Sequence, residues 1–379
     1  MYKHFYKEFL KHNEKSVHLS AHSHHFWPDV TKDAVVKSWE DSAKYTDKKW
    51  GHIFSTIVPQ AQQHIAKILN YSEPAQIAFA PNTHELLSRL LSVFLEKESL
   101  TILTTTSEFH SMSRQLKRIL ELDNVKAIIL DNESEGFENK FLDAVTKVNF
   151  IYISHVFYNS GKVLQMNFIQ KIIKKKSKET FFCLDGYHGF CAIPTDLSTI
   201  EQDVFYLSGG YKYAQAGEGA CFMTIPKKYK LRPVNTGWFA SMETLEKQPQ
   251  TVHYSDNAMS FWGATQDLTP WYRFVFVWDL FEKEGLDVTI IDDYIKSLMS
   301  YFIENFTHKD LLMNEDLESL GHFLTLDLEN SNEARSLHEK LEKHNIQTDF
   351  RDNRLRFGFG MYLAKDDLHK VMKTINESL

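Results

Sequence analysis

The sequence has few cysteines, no long apolar run and no excess of basic charge. Its three cysteines among 379 residues are too few for a disulfide framework. Two of them stand in or beside predicted strands, which is typical of reduced thiols in a cytoplasmic protein. No apolar stretch approaches the roughly 20 residues that a membrane span needs, and the polar, aromatic start is unlike a signal peptide. The net charge of −7 argues against nucleic-acid binding. We therefore expect a cytoplasmic protein that binds neither membrane nor nucleic acid.

The composition is that of an ordinary globular protein, and the chain is long enough to form two hydrophobic cores. Hydrophobic residues make up 43% and charged residues 25% of the chain. Apolar runs separated by helical patterns lie at 100–104, 125–130, 148–154 and 181–184. This alternation predicts an α/β fold with a large, doubly wound, mostly parallel sheet. Long helical patterns followed by short strands then predict a smaller C-terminal α/β domain. The predicted divisions are an N-terminal segment with a loop (1–50), a large domain (51–265) and a small domain (266–379).

The stretch 180–224 brings together the residues with the most chemistry. Three apolar runs predict strands; the first ends at Asp185, and the second is followed by Tyr211 and Lys212 on a glycine-rich loop. The carboxyl ends of parallel strands meet at one edge of a sheet, where open α/β folds bind ligands. We therefore expect Asp185, His188, Tyr211 and Lys212 to reach a single site.

These residue types suit pyridoxal phosphate. The cofactor needs a lysine for a Schiff base and a carboxylate that keeps its ring nitrogen protonated. An aromatic or imidazole side chain has to cover the ring, and hydroxyl and backbone donors have to bind the phosphate. Each residue also has a simpler explanation, because a lysine after glycines is usually solvated and an aspartate after a strand is commonly a turn or helix cap.

The motifs in this stretch resemble those of kynureninases, within the class V aminotransferase superfamily of fold type I pyridoxal-phosphate enzymes. The D-x-x-H strand end, the Y-K-Y lysine motif and the G-x-G turn of that family read here as residues 185–188, 211–213 and 217–219. The segment 154–161 is similar to the family's strand-to-turn segment. The resemblance implies a fold type I transferase in which Lys212 binds the cofactor and acts as base. It also implies that Asp185 faces the ring nitrogen and that His188 orients Asp185 or the ring oxygen.

The resemblance assigns further residues to the cofactor. A strand, a polar turn and a helix start around Thr83 and His84 form the arrangement that binds a phosphate at a helix N-terminus. Simple N-capping is the commoner explanation of such a turn, but the family uses it for the cofactor phosphate, together with Tyr211. The next strand end resembles the segment that stacks on the ring, which implies Phe109 there, with His110 as the alternative.

Substrate and partner residues are also implied by the resemblance. The Leu-Arg-Phe-Gly-Phe segment matches closely, and its arginine, Arg356, would bind the substrate α-carboxylate through two parallel hydrogen bonds. Arg351 and Arg354 are expected to be surface charges. The Gly-Trp pair implies that Trp238 lies beside the substrate, although a tryptophan there could equally anchor a dimer interface. The turn holding Thr265 implies phosphate binding in the partner subunit, and hence a homodimer with shared active sites.

Four histidines stand close together near the N-terminus, at positions 18, 22, 24 and 25. Their spacing matches neither a zinc finger nor the paired histidines of a metalloprotease, so no metal is predicted. Kynureninases have at this point a loop that reaches the substrate end of the site. We therefore expect His22 and His25 to contact substrate; an ordinary loop is the second interpretation and a metal site the third.

The sequence leaves several reactions open. Kynureninase-like hydrolysis of an aromatic amino acid at Cβ–Cγ is the first expectation, and transamination by a class V aminotransferase is the alternative. Cysteine desulfuration is disfavoured, because it needs a nucleophilic cysteine late in the chain and none follows Cys221. A metal-dependent hydrolase and a non-catalytic homologue are the remaining interpretations. The missing family loop and the changes at Ala264 and Asp267 leave the identity of the amino-acid substrate open.

Overall fold

The structure is a computed structural model that describes residues 2–247 and 250–379. The strands are β1 (Val17–His18), β2 (Ile77–Ala80), β3 (Leu100–Thr105), β4 (Val125–Leu130), β5 (Phe150–Ser154), β6 (Phe181–Asp185), β7 (Val204–Gly209), β8 (Cys221–Thr224), β9 (Phe323–Asp327), β10 (Ile346–Gln347), β11 (Asp349–Arg351) and β12 (Arg354–Gly358). The helices are α1 (Lys7–His12), α2 (Val30–Tyr45), α3 (Lys49–His52), α4 (Val58–Ile68), α5 (Thr83–Ser92), α6 (His110–Ile119), α7 (Phe137–Ala144), α8 (Met166–Lys175), α9 (Thr269–Lys283), α10 (Val288–Asn305), α11 (Ser331–Lys343) and α12 (Lys365–Ser378).

A seven-stranded sheet in the order β2-β8-β7-β6-β5-β3-β4 forms the centre of the molecule. The five adjacent strands β7, β6, β5, β3 and β4 pair in parallel, whereas β8 runs antiparallel to both of its neighbours. Every residue of β5, β6 and β7 is buried, which explains why these strands read as continuous apolar runs rather than alternating ones. The expected large, mostly parallel sheet is confirmed.

Parallel pairing aligns the strand ends that carry polar residues. Ser154 at the end of β5 lies beside Asp185 at the end of β6, and Asp185 lies beside Leu207 of β7. The chain therefore leaves several adjacent strands at the same edge, which is where open α/β sheets bind ligands.

A smaller antiparallel sheet of β11, β12 and β9 forms the C-terminal α/β unit with α10, α11 and α12. The N-terminal segment packs on the same side: β1 pairs in parallel with β10, and Ser20 forms a bridge with Gly358. Residues 17–20 thus lie against the C-terminal unit, while the boundaries after residues 50 and 265 stay a prediction. In the part of the chain that the structure describes, no helix combines the length and apolar character needed to cross a membrane.

Candidate active site

A cavity of about 460 Å³ opens at the carboxyl edge of the large sheet. It is bounded by strand ends of that sheet, by the N-terminal segment at Ser23 and by the β11–β12 hairpin. The residues expected at the site that line it are Thr83, Phe109, Asp185, His188, Tyr211, Lys212 and Arg356. Side chains from distant parts of the chain therefore do meet in one cavity, which has the volume of a small-molecule site.

Lys212 is buried at the centre of these residues. Its Nζ donates a hydrogen bond to the backbone carbonyl of His22 at 2.6 Å and lies 2.6 Å from Nε2 of His188. The same nitrogen is 6.0 Å from the ring centroid of Phe109 and 5.9 Å from that of Tyr187. Two aromatic rings thus lie near the amine.

The surroundings of Lys212 favour a neutral amine. Burial, followed by the positive charge of Arg356, lowers the pKa of Lys212 to about 7. Burial and the nearby Lys212 also lower the pKa of His188 well below its usual value. A lysine whose pKa is near 7 can act as a nucleophile and exchange protons at physiological pH.

Asp185 is fixed at the end of β6 through both carboxylate oxygens. Oδ2 accepts a hydrogen bond from the Tyr152 hydroxyl at 2.6 Å, and Oδ1 accepts one from the backbone N–H of Tyr187 at 2.9 Å. Burial raises the pKa of Asp185, and these two hydrogen bonds oppose the increase. Among the residues that the structure describes, this buried carboxylate forms no ion pair, which leaves it able to accept a cationic partner.

Glu108 is a second buried carboxyl group at this edge of the sheet, and it is not among the residues expected at the site. It accepts hydrogen bonds from the hydroxyls of Ser154 at 2.6 Å and Thr105 at 2.7 Å. Burial raises the pKa of Glu108 to about 8, and Ser154 itself lines the cavity. Glu108 therefore ties the end of β3 to the end of β5. Its place on the short polar segment between a predicted strand and Phe109 was the signal that could have identified it.

Of the residues expected at the site on the loops after β2 and β3, some line the cavity and others do not. Asn82 caps α5 by accepting the N–H of Glu85 at 2.9 Å, so the capping explanation holds for Asn82, while Thr83 begins the helix and faces the cavity. Phe109 lines the cavity, but His84 and His110 do not: both line a separate surface cavity. The side chain of His84 thus points away from the cavity, because the helix turns it outward.

The β11–β12 hairpin supplies the cationic end of the cavity. Arg356 is buried and donates through its two Nη groups to the carbonyl of Tyr158 and to Oδ2 of Asp349. Arg351 donates to Oδ1 of Asp349 at 2.6 Å. Arg351 is a partly exposed charge, as expected, with a side chain that is 41% exposed, and it also lines the cavity. Arg354 instead forms two hydrogen bonds with Glu133.

The histidine cluster is divided between the site and the core. His22 is fully buried, stacks on Phe323 at 4.8 Å between ring centroids and lies 3.6 Å from Oδ2 of Asp349. Burial lowers the pKa of His22 to about 3, so its ring is neutral. His24 reaches the cavity wall through the Tyr211 hydroxyl at 3.0 Å.

His25 does not face the cavity, contrary to expectation. Its Nδ1 lies 2.6 Å from the carbonyl oxygen of Phe26, and its ring packs edge-on against Tyr362. The turn through residues 21–24 sends this side chain into the aromatic core. Within the described residues, no group of three or more histidine, cysteine or acidic side chains is arranged to hold a metal ion.

Two more expected site residues lie outside the cavity in the single chain. Trp238 is 42% exposed and packs against Phe239. Thr265 lines a separate polar cavity that meets the first one at Pro81. Trp262 is fully buried against Phe79 in the core. The tryptophans near the site therefore do not form an aromatic substrate pocket within one chain.

The side chains that line the cavity fit pyridoxal phosphate. Lys212, whose pKa is lowered to about 7, lies near two aromatic rings, and the buried carboxylate of Asp185, which forms no ion pair with any described residue, lies at the same edge of the sheet. The N-terminus of α5 and the hydroxyl of Tyr211 supply donors that suit a phosphate. The buried Nδ1 of His188 also has no hydrogen-bond partner among the described residues. These features match the lysine, the ring partner and the anion site that the cofactor requires.

A protein-family model and a known protein each match part of this chain. The sequence model of class-V aminotransferases matches residues 32–349. The mitochondrial cysteine desulfurase of Candida albicans is 26% identical over 188 residues, which cover 48% of this chain but only 37% of that protein. The matched stretch thus spans well under half of that relative.

Solved structures with this fold cover nearly the whole chain. A C-DES mutant with glycine covalently linked to the PLP cofactor has a TM-score of 0.83 at 14% identity, covering 99% of both chains. The cystine C–S lyase C-DES, in complex with its product cysteine persulfide, has a TM-score of 0.81 at 14% identity, covering 96% of this chain and 97% of that one. The expected fold of type I PLP-dependent transferases is confirmed.

Proposed function

The chain belongs to the class-V aminotransferase family, and we propose that it is an enzyme that cleaves a side-chain bond of an α-amino acid. Family membership confirms the enzyme class and the pyridoxal phosphate cofactor that the sequence motifs predict. The main observation behind the proposal is that Lys212, whose pKa is lowered to about 7, is buried in one cavity with Asp185 and Arg356. Reaction and substrate are inferred from this arrangement and from the relatives together.

Five residues would hold the cofactor. Lys212 would bind its aldehyde, Asp185 its ring nitrogen and Phe109 one face of its ring, while Thr83 and Tyr211 would bind its phosphate. When bound, pyridoxal phosphate withdraws electrons from the bonds to the substrate Cα. Asp185 suits its role because the hydroxyl of Tyr152 and the N–H of Tyr187 hold the carboxylate in one orientation.

Lys212 and Arg356 would act on the substrate. The Nζ of Lys212 can accept a proton and return it near neutral pH, because its pKa is lowered to about 7. Each Nη group of an arginine carries two hydrogens. Arg356 uses one from each for Tyr158 and Asp349, so the other two can bind the α-carboxylate. His188 would orient the lysine, since its Nε2 lies 2.6 Å from Nζ.

Among the possible reactions, we favour cleavage of a C–S bond. The sulfur would leave as part of a small-molecule product and would not be transferred to a cysteine of the protein. The relatives include cysteine desulfurases and a cystine C–S lyase. In this chain all three cysteines are buried, and burial raises the pKa of Cys221, the cysteine that lines the cavity, to about 12. A thiol so rarely ionised is a poor sulfur acceptor. With cystine, water would be consumed, and pyruvate, ammonia and cysteine persulfide would form.

Hydrolysis of a kynurenine-like substrate is the second candidate. Its support is the set of motifs at residues 154–161, 185–188 and 211–213, which resemble kynureninase. The rings of Phe109, Tyr158 and Tyr187 in the cavity wall are compatible with an aromatic side chain.

A substrate panel distinguishes these reactions. Purified holoenzyme is incubated with cystine, with kynurenine and 3-hydroxykynurenine, and with amino acids plus a keto acid. We expect pyruvate and persulfide from cystine; anthranilate and alanine from kynurenine would establish the second candidate, and a new amino acid would establish transamination. Lys212→Ala should lose both turnover and the visible absorbance of bound cofactor, while Lys227→Ala on the surface should retain both. A Lys212→Ala protein that kept its activity would refute the assignment.

A further inference from the structure

The cavity contains a second guanidinium, Arg351, that the proposed reaction does not use. Arg351 and Arg356 both line the cavity, and both bind Asp349, one at each carboxylate oxygen. The side chain of Arg351 is 41% exposed, whereas that of Arg356 is 3% exposed. A half-open arginine in the wall of a substrate cavity can reach a ligand without leaving its own anchor.

The two arginines differ in which N–H groups are free. Arg351 directs both hydrogens of Nη1 to the protein, one to Oδ1 of Asp349 at 2.6 Å and one to the carbonyl of Phe350 at 2.7 Å. Its Nε and Nη2 form no hydrogen bond with any residue that the structure describes. These two nitrogens form the guanidinium edge that donates two parallel hydrogen bonds to one carboxylate. In Arg356, by contrast, Nε is sealed from solvent.

The charge balance at this end of the cavity points the same way. Two guanidiniums share the single carboxylate of Asp349, and neither forms an ion pair with another carboxylate of the described residues. His22 beside Asp349 is neutral, and Lys212 nearby adds no negative charge. An α-carboxylate on Arg356 would therefore still leave Arg351 with a free edge for another anion.

We propose that Arg351 binds a second carboxylate, carried by the side chain or by the leaving group of the substrate. The substrate would then be a dicarboxylic α-amino acid or a cysteine derivative whose departing part bears a carboxylate, as cystine does. Kynurenine, which has no second carboxylate, would be disfavoured. This inference rests on the proposed function and adds the substrate class to it.

The test uses two amino acids of equal size that cannot react. α-Methylglutamate and α-methylglutamine have no hydrogen on Cα and differ in the charge of the side-chain end. Their dissociation constants are measured by titration calorimetry with the holoenzyme. If Arg351 forms a charge-assisted pair of hydrogen bonds with the side-chain carboxylate, α-methylglutamate should bind at least about tenfold more tightly than α-methylglutamine. In Arg351→Gln this preference should fall to near unity, through weaker binding of α-methylglutamate alone.

Two further variants make the result specific. Arg356→Gln should weaken both amino acids together, because each carries the α-carboxylate. Arg335→Gln, an exposed arginine of α11 that contacts Phe350 outside the cavity, should leave both dissociation constants unchanged. If the wild type binds both amino acids equally, or if Arg351→Gln retains the preference, the second-carboxylate site is refuted and the proposed function stands. If neither amino acid binds, the second-carboxylate site is likewise refuted, while the proposed function is decided separately by the substrate panel.

Discussion

The properties of Lys212 come from its neighbours more than from its sequence motif. An exposed lysine has a pKa near 10.4, but burial and Arg356 lower the pKa of Lys212 to about 7. A lysine of lowered pKa loses its proton at lower pH, so the neutral, reactive amine already predominates above about pH 7. No carboxylate is in hydrogen-bond contact with Nζ among the described residues; its contacts are His22 O and His188 Nε2.

This leads to a prediction about pH. The rate at which the apoprotein takes up pyridoxal phosphate should increase as pH rises through about 7 and then level off, because the amine must be unprotonated to react. The measurement is the growth of visible absorbance after mixing at a series of pH values, with free N-acetyl-lysine as the reference. A rate that keeps rising steeply to about pH 10, as for the reference amine, would contradict the lowered pKa.

At the scale of elements, the N-terminal segment and the β11–β12 hairpin form one wall of the cavity together. Ser20 bridges Gly358 at the end of β12, and the next residues carry the carbonyl of His22 to Lys212. A Cβ atom at Gly358 would collide with the ring and the backbone nitrogen of His22. The glycine is needed there because the two segments approach at backbone distance.

We therefore predict that Gly358→Ala pushes His22 away from Lys212. Because overpacking a tight contact costs about 1–3 kcal/mol, the free energy of unfolding in urea should fall by that amount, and cofactor affinity should fall with it. Gly51→Ala in α3 is the matched control, since a Cβ at Gly51 meets nothing within 4 Å. Equal stability of the two variants would show that the contact at Gly358 is looser than the structure indicates.

At the scale of the whole molecule, the single chain leaves features beside the site uncovered. Phe109 is 39% exposed and Trp238 is 42% exposed. The polar cavity that holds Thr265 adjoins the active-site cavity at Pro81. A second copy of the chain that covers these surfaces would bring Thr265 to the neighbouring site, as the sequence resemblance implies.

The corresponding prediction is a homodimer. Sedimentation equilibrium should give twice the chain mass of 44.3 kDa, and Thr265→Ala should weaken cofactor binding severalfold without changing that mass. A fully active species of 44.3 kDa would refute the shared site.

Much of the fold could be predicted because it depends on local patterns. The buried strands β3, β5 and β6 read as apolar runs, and the long helical patterns of the C-terminal part correspond to α9 and α10. Asp185, Lys212 and Arg356 were singled out by their motifs, and the structure places them at the end of β6, on the loop after β7 and within β12. These features follow from the order of residues along the chain, whatever packs against them later.

Only the tertiary structure decided which polar side chains turn inward. His22 and His25 lie three positions apart, yet one approaches the cavity wall and the other enters the aromatic core. Arg351 and Arg354 looked alike in sequence and are direct cross-strand partners on one hairpin, yet Arg351 lines the cavity and Arg354 binds Glu133. Such choices depend on contacts between segments far apart in sequence, so the local pattern carries no trace of them.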